Sequence, residues 1–408
     1  MQHFSIEPQI QVTLNCNMAC NYCFQQHQGS IVDLAIVERI VAQLADFHRR
    51  QYRYCEIDQP LLITWHGGEP LLAGIDFYSR VIEIENRYPD LRFDNRLQTN
   101  GTLLTVEYAK FFARHGFNVG FSLDGPASLN NVFRHYRHGF GNPFVDAIRG
   151  LERYRRYAKP EQIPVIAVIT PLTIKRVESF YRFFKSLNTK VQLDIYDLCA
   201  GELLDPSGNT SGVSDYAPDN AGIGEFLIRL FDLWFNDASR KVEFSDLRNE
   251  VKMILQPEMS SGDPFHKKRC APGRLIFDPQ GRAFSCDQYV NDARTALGNI
   301  KEDSLEDILD RKFRLWDEIK HHVRGSTEQM ACARCEWGQQ CAGGCLTCMK
   351  YNAMLLQARQ DGLPDSHWYE ARLPKKLRDL SGETYYCDGL RHFREHAKAA
   401  VARELNHA

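Results

Sequence analysis

The sequence predicts an α/β fold: a partial (β/α)6 barrel of the TIM type, followed by a smaller cysteine-rich domain. Three observations carry this. Through the first 200 residues, short apolar runs alternate with amphipathic stretches, the pattern of strand–helix units around a parallel sheet. Near residue 200 the alternation gives way to a stretch rich in Gly, Ser, Asp, Asn and Pro. Eight of the 13 cysteines then fall after residue 269.

Strands are expected at Ile10–Leu14, Leu61–Trp65, Phe93–Thr99, Val119–Leu123, Val165–Thr170 and Val191–Tyr196. Between the first two, Val37, Ile40, Val41, Leu44 and Phe47 recur at helical spacing, forming an apolar stripe suited to packing on a sheet. Thr105, with Glu107 close behind, opens another helix that Gly116 ends, and Val177, Phe180, Tyr181 and Phe184 mark a third over 177–187. Six units are fewer than the eight of a closed barrel, yet chemistry is still expected at the C-terminal ends of the strands. Residues 200–220 read as a loop or linker, with a helix near Glu225–Asn236 behind it. From Asp388 the chain reads as a basic helix with its charges toward solvent. The expected organisation is a barrel over 1–200, a linker with bridging helices over 201–265, and a cysteine-rich domain over 266–408.

Composition limits the partners. With 43% apolar and 25% charged residues the chain has the makeup of a globular protein rather than a fibrous or disordered one. Fifty basic against 52 acidic residues leave a net charge of -2, so no long-range field draws the chain to nucleic acid or anionic lipid. No apolar run reaches the ~18 residues of a membrane span, and Met1–Ser5 has neither the basic start nor the apolar run of a signal peptide. A cytoplasmic location is expected, with neither nucleic acid nor a membrane as partner. There, clustered cysteines serve as metal ligands or catalytic thiols more often than as disulfides. Cys55 and Cys199 stand apart and read as inert buried thiols.

The strongest motif is Cys16-Asn17-Met18-Ala19-Cys20-Asn21-Tyr22-Cys23, directly after the first strand. Three cysteines at x3 and x2 spacing can hold three irons of a 4Fe-4S cluster and leave the fourth open to reaction. A structural zinc site wants four closed ligands, and only His27 is at hand. This run, followed by the aromatic Phe24, resembles the defining motif of the radical S-adenosylmethionine (SAM) enzymes. The resemblance implies that SAM chelates the open iron and is cleaved to a 5'-deoxyadenosyl radical that abstracts hydrogen from substrate.

Further segments resemble that family. Gly67-Gly68-Glu69-Pro70, after the second strand, is similar to its Gly-Gly-Glu motif for the SAM amino group. Gln98-Thr99-Asn100-Gly101 and Ser122-Leu123-Asp124-Gly125-Pro126 end the next two strands. By this resemblance Ser122 and Arg134 contact the ribose and carboxylate of SAM. The bland reading of Asp124-Gly125-Pro126 is a tight turn. The run Arg134 to His138 reads as a loop around an anionic ligand.

The later cysteines form Cys270-x10-Gly281-x4-Cys286, then Cys332-x2-Cys335-x5-Cys341-x3-Cys345, then Cys387. Read without context, part of this pattern equally fits a zinc ribbon. In this order it resembles the SPASM domain, which holds two auxiliary 4Fe-4S clusters. The resemblance assigns Cys270, Cys286 and Cys345 to one cluster, and Cys332, Cys335, Cys341 and Cys387 to the other. Relatives with a fully ligated first cluster have a further cysteine where this chain has Ile276, so either Cys348 completes the site or an iron stays open. Three 4Fe-4S clusters and SAM are the expected cofactors.

Asp287 follows Cys286, where the anaerobic sulfatase-maturing branch carries its proposed base; a surface Asp in a turn is the bland reading. Two enzyme functions follow from the resemblance. One is crosslinking of side chains in a ribosomally made precursor peptide; the other is oxidation of Cys or Ser to formylglycine. Departures from the sulfatase branch at Gln25, His66, Ile276 and Asn130-Asn131 favour crosslinking. Gln25, His66 and Gln98 are expected to face the substrate. The first strand begins near residue 10, with no leader-binding domain before it, so crosslinking calls for a separate leader-peptide recognition protein. A flavodoxin or ferredoxin is the expected electron donor. An iron–sulfur carrier or zinc-stapled binding module is the non-enzymatic alternative; a carrier requires closed ligation at every cluster.

Overall fold

The computed structural model describes residues 6–25, 27, 29–52, 59–195, 216, 218–256, 273–290, 293–315, 335–337 and 387–407. They fall into two compact units. One comprises Met1–Leu123, Asn130–Ile166 and Pro272–Arg314; the other comprises Asp124–Leu129, Ala167–Ala271 and Leu315–Ala408.

In the first unit, β1 (Glu7–Thr13), β2 (Leu61–Gly67), β3 (Phe93–Thr99), β4 (Asn118–Ser122) and the start of β5 (Ile163–Ile169) pair in parallel in that order. Each agrees with its expected strand to within three residues. The intervening helices are α1 (Leu34–Tyr52), α2 (Ile75–Glu85), α3 (Val106–Arg114), α4 (Ala127–Phe133), of which residues 130–133 belong to this unit, and α5 (Pro143–Ala158). Thr105 opens α3 as expected, its hydroxyl accepting from Tyr108 N.

The two faces of this sheet differ in chemistry. Strand residues alternate sides, and residues paired across a parallel ladder share one. Ile10 pairs with Trp65, and Ile10, Val12, Ile63, Trp65 and Leu97 are all buried on the helix-covered face. There Trp65 meets Phe77 and Tyr78 of α2 edge-on, its Nε1 donating to Asn95 Oδ1 at 2.7 Å. Asn95 Nδ2 donates in turn to both Glu85 oxygens at 2.9 and 3.0 Å.

The opposite face is polar. On β1 it carries Gln9, Gln11 and Thr13, which are 3%, 0% and 1% exposed. Gln9 pairs with Thr64 and Gln11 with His66; Gln98 and Ser122 continue this face on β3 and β4. On the far side of β1 runs β8 (Arg274–Phe277), parallel to it, with Gln9 opposite Ile276. An antiparallel addition, β9 (Arg282–Phe284) and β10 (Gly298–Asn299), extends the sheet edge. These short strands lie inside the cysteine-rich stretch, and none is long enough to show a periodic pattern.

The second unit holds α6 (Pro171–Ile174), α7 (Val177–Leu187), β6 (Thr189–Ile195), α8 (Asn220–Phe235), β7 (Glu243–Phe244), α9 (Ser245–Leu255) and a C-terminal helix, Cys387–His407. Phe180, Phe184, Phe226 and Phe244 form its aromatic core, and Phe231 of α8 meets Phe393 edge-on at 5.9 Å. The C-terminal helix corrects one expectation, because not all its charges face solvent. Arg394 is 3% exposed, pairs with Glu250 at 3.2 Å and lies over the Trp337 ring. Among the described residues no helix is long and apolar enough to cross a membrane.

Candidate active site

The cysteine loop is built by backbone contacts before any side-chain chemistry enters. Gly68 N donates to Thr13 O at 2.7 Å, and Glu69 N to Asn15 O at 2.9 Å, joining the ends of β1 and β2. A Cβ on Gly67 would lie 2.2 Å from Thr13 O, and one on Gly68 2.2 Å from Asn15 O. Gly67 also has φ +123°, which L side chains rarely adopt. The glycine pair is thus required by close approach to the cysteine loop itself.

Glu69 ties in the third strand. Its Oε1 accepts from Leu71 N at 3.0 Å and Thr99 Oγ1 at 2.7 Å, and its Oε2 accepts from Asn100 N at 2.9 Å. A carboxylate has about four lone-pair sites, so roughly one remains for an ammonium group. Burial pushes Glu69 up to about 7, opposed by these three donors.

Asn100 reaches the loop directly, donating to Asn17 Oδ1 at 2.9 Å and Cys16 Sγ at 3.7 Å. Met18 N donates to Cys16 Sγ at 3.3 Å. Burial, then the Glu69 charge, then Cys20 and Cys23, drive the Cys16 thiol up to about 12 against the Met18 bond. Cys23 is raised too, chiefly by burial, while Gln25 N–H, Arg134 and Arg137 pull it back. None of the three is in a disulfide, and Cys16 senses the charges of Cys20 and Cys23. Among the described residues no three His, Cys, Asp or Glu side chains are grouped to hold a single metal ion. The donor set fits an iron–sulfur cube: soft sulfurs on one loop, with amide donors aimed at Cys16 of the kind that tune a cluster's potential. Iron's positive charge would oppose the effect of burial on the Cys16 thiol.

Around the loop stand the other expected cofactor contacts. Arg134, 7% exposed, lies over the Tyr22 ring at 5.4 Å and acts on Cys23. Gln98 Nε2 donates to Ser122 Oγ at 2.9 Å, and a Cβ on Gly120 would meet Gln98 Oε1 at 2.4 Å. Phe24 is half-buried behind Cys23. Asp124 is more than turn punctuation: its Oδ1 accepts from Val168 N at 3.0 Å.

A second cluster of groups lies on the same polar face. Arg274 Nη2 donates to Gln9 Oε1 at 3.0 Å and to Asp287 Oδ2 at 3.2 Å, while Cys286 Sγ faces Asp287 Oδ1 at 3.3 Å. Burial alone would raise Asp287, but Arg274, His66 and Cys286 together hold it below its ordinary value. Burial lowers His66, with Arg274 adding to the effect and Asp287 opposing it. Both amide atoms of Gln11 and Gln25, and Nδ1 of His66, are covered without a hydrogen-bond partner in the protein. Unpartnered buried polar atoms are costly, so this face is built for a polar guest.

The structure brings Cys16, Cys20, Cys23, His66, Gly67, Gly68, Glu69, Gln98, Ser122, Arg134 and Asp287 into one unit, whereas the sequence reading placed Asp287 in the cysteine-rich domain over 266–408. That reading missed Gln9, Gln11 and Arg274; β1 does alternate glutamine and threonine with apolar residues, but that pattern reads equally as a half-solvated strand. Cys286 lies in the first unit, and Cys335 and Cys387 in the second. The assignments to Cys270, Cys332, Cys341, Cys345 and Cys348, and those to Cys55 and Cys199, fall outside the described residues.

Residues 10–184 match the model of the radical SAM superfamily, and residues 270–336 that of an iron–sulfur cluster-binding domain, SPASM. The chain belongs to the radical SAM superfamily. This radical SAM enzyme uses SAM and a 4Fe-4S cluster, with auxiliary clusters in its SPASM domain. It is 28% identical over 345 residues to the cysteine-type anaerobic sulfatase-maturating enzyme of Clostridium perfringens, covering 82% of this chain and 86% of that protein. It is 25% identical over 346 residues to the serine-type enzyme of Bacteroides thetaiotaomicron, covering 81% and 80%. A solved structure of native anSMEcpe with bound AdoMet and Cp18Cys peptide matches with a TM-score of 0.75 and 25% identity, over 99% of both chains. The partial-barrel α/β fold and the maturase class are thereby shown.

Proposed function

We propose that this radical SAM enzyme oxidises a Cys or Ser side chain in a peptide or protein segment to the aldehyde of formylglycine. Departures at Gln25, His66 and Ile276 argued for side-chain crosslinking instead. Likeness to two sulfatase-maturating enzymes over four-fifths of the chain outweighs them.

When bound, SAM and the clusters supply hydrogen-atom abstraction from the side-chain carbon and an outlet for the surplus electron. The chain's own residues do the rest. Cys16, Cys20 and Cys23 hold the SAM-binding cluster, with Phe24, Gly67, Gly68, Glu69, Ser122 and Arg134 around SAM. Gln11, Gln25, His66 and Gln98 receive the target residue through their amide and imidazole groups. The carrying observation is Asp287, anchored by Arg274 on this polar face. Held ionised, it takes the proton that the side chain sheds as it becomes an aldehyde precursor. As a cluster ligand Cys286 would be a thiolate with no proton to give, which would leave Asp287 Oδ1 free for that task. Cysteines that serve as metal ligands fit a reducing cytoplasm.

The test incubates the anaerobically reconstituted enzyme with SAM, dithionite and a peptide carrying the Cys or Ser segment of a sulfatase. An aldehyde captured by a hydrazide supports the reading. A product that lacks two hydrogens and joins two side chains returns the crosslinking function, and a peptide left unchanged while deoxyadenosine accumulates overturns formylglycine formation on this segment.

A further inference from the structure

The polar face of β1 and β2 carries hydrogen-bonding capacity that the protein itself does not use. Gln9 and Gln11 stand two positions apart on β1, about 7 Å, and His66 sits opposite Gln11 on β2. Gln9 Nε2, both amide atoms of Gln11 and Nδ1 of His66 are covered, with no hydrogen-bond partner among the described residues. Leucine or valine would fill the same strand positions without leaving polar atoms stripped of water and unpaired.

The chemistry each group offers is defined. Arg274 Nη2 donates to Gln9 Oε1 at 3.0 Å, which identifies Nε2 as the remaining donor of Gln9. Gln11 offers one donor group and one acceptor whichever way round its amide lies. Burial and Arg274 together keep His66 neutral against the pull of Asp287, so its ring has one donor nitrogen and one acceptor. The same Arg274 nitrogen donates to Asp287 Oδ2 at 3.2 Å, and one guanidinium thus joins the base to the glutamine row.

A target group that gives its proton to Asp287 therefore meets this row, and the reaction allows two such groups. A hydroxyl donates one strong hydrogen bond and accepts two, whereas a thiol is weak in both roles. The hydroxyl satisfies the row; the thiol leaves it nearly as unpaired as before. Sites built to bond a hydroxyl reject analogues that lack it.

Resting on the formylglycine reading of this site, we propose that Gln11 and His66, with Gln9 beside them, hold the side-chain oxygen of the target and select serine over cysteine. The oxygen they hold becomes the oxygen of the aldehyde. Cβ loses one hydrogen atom to the deoxyadenosyl radical, the hydroxyl proton goes to Asp287, and the electron left behind goes to an auxiliary 4Fe-4S cluster as C–O becomes C=O. No water is consumed, whereas a cysteine sulfur would have to be exchanged for a water oxygen.

The test gives the anaerobically reconstituted full chain SAM, dithionite and two peptides of a sulfatase segment that differ only in Ser or Cys at the target. Wild type uses the serine peptide with a kcat/KM about tenfold or more above that for cysteine, the scale of one unmet hydrogen bond. Gln11→Leu and His66→Phe each lower this ratio about tenfold, by a loss on serine alone. Wild type that uses both peptides equally or prefers cysteine overturns the proposal, as do variants that leave the ratio unmoved or weaken both peptides alike. If neither peptide yields aldehyde, the formylglycine reading fails instead. Calorimetric affinities of wild type for the two peptides, with SAM present, then decide the selection: tighter serine binding keeps it, and equal or absent binding overturns it.

Discussion

Arg274 and Asp287 stand side by side on the polar face of the sheet, Nη2 to Oδ2 3.2 Å, and Arg274 also holds Gln9. The pair fixes where a proton can go. Asp287→Asn keeps the size of the side chain and removes the base, so aldehyde formation falls by about 100-fold or more. SAM cleavage continues, and the ratio of deoxyadenosine to aldehyde, measured in one reaction, rises accordingly.

The same pair sets a pH dependence. A carboxylate held below its ordinary pKa stays ionised at every pH above about 4, so product formation has no Asp287-linked acid limb in the neutral range. Arg274→Gln removes the leading charge that lowers Asp287 and moves the limb toward neutrality. A pH–rate profile for each protein decides this, and unchanged profiles refute it.

Gln11 separates stability from function. Its amide is 0% exposed with both atoms unpartnered in the protein. Gln11→Leu removes that burden and raises stability by about 1 kcal/mol. The KM for the peptide rises about tenfold with kcat less affected, because one point of substrate contact is lost. Thermal melts and initial rates on one preparation test both halves.

Glu85 makes stability fall as pH rises. Burial lifts it to about 7 in the folded chain, opposed by Asn95, whereas the unfolded chain ionises near its ordinary 4.5. Between those values the folded state binds more proton than the unfolded one, so its stabilising contribution is intact below about 4.5 and is lost by about 7. Glu85→Gln removes this dependence, leaving the protein more stable at pH 8 by about 2 kcal/mol. Denaturant melts of both proteins from pH 5 to 8 measure it.

The buried Arg394–Glu250 pair predicts an asymmetry. Arg394→Met leaves Glu250, 2% exposed, without its counter-charge and costs about 3–5 kcal/mol. The double replacement by Met and Leu costs far less. Equal losses in the single and double variants would show that the pair is not what holds the C-terminal helix to α9.

Much of this was legible in sequence because the chemistry is local. The spacing of Cys16, Cys20 and Cys23 states a cluster loop without any fold, and the six strand positions follow from apolar runs. The polar face was not legible, since Gln9, Gln11 and Thr13 alternate with apolar residues in the manner of a half-solvated strand. Their burial comes from neighbours brought in by β2 and β8, and Arg274 is more than 260 residues away from its partner Gln9.

Gly67 and Gly68 carry one last consequence. Their clasp on Thr13 and Asn15 is made of main-chain atoms, so the shape of the cysteine-bearing bend depends on two positions that carry no side chain, and a replacement as small as alanine at either one would push it off the end of β1.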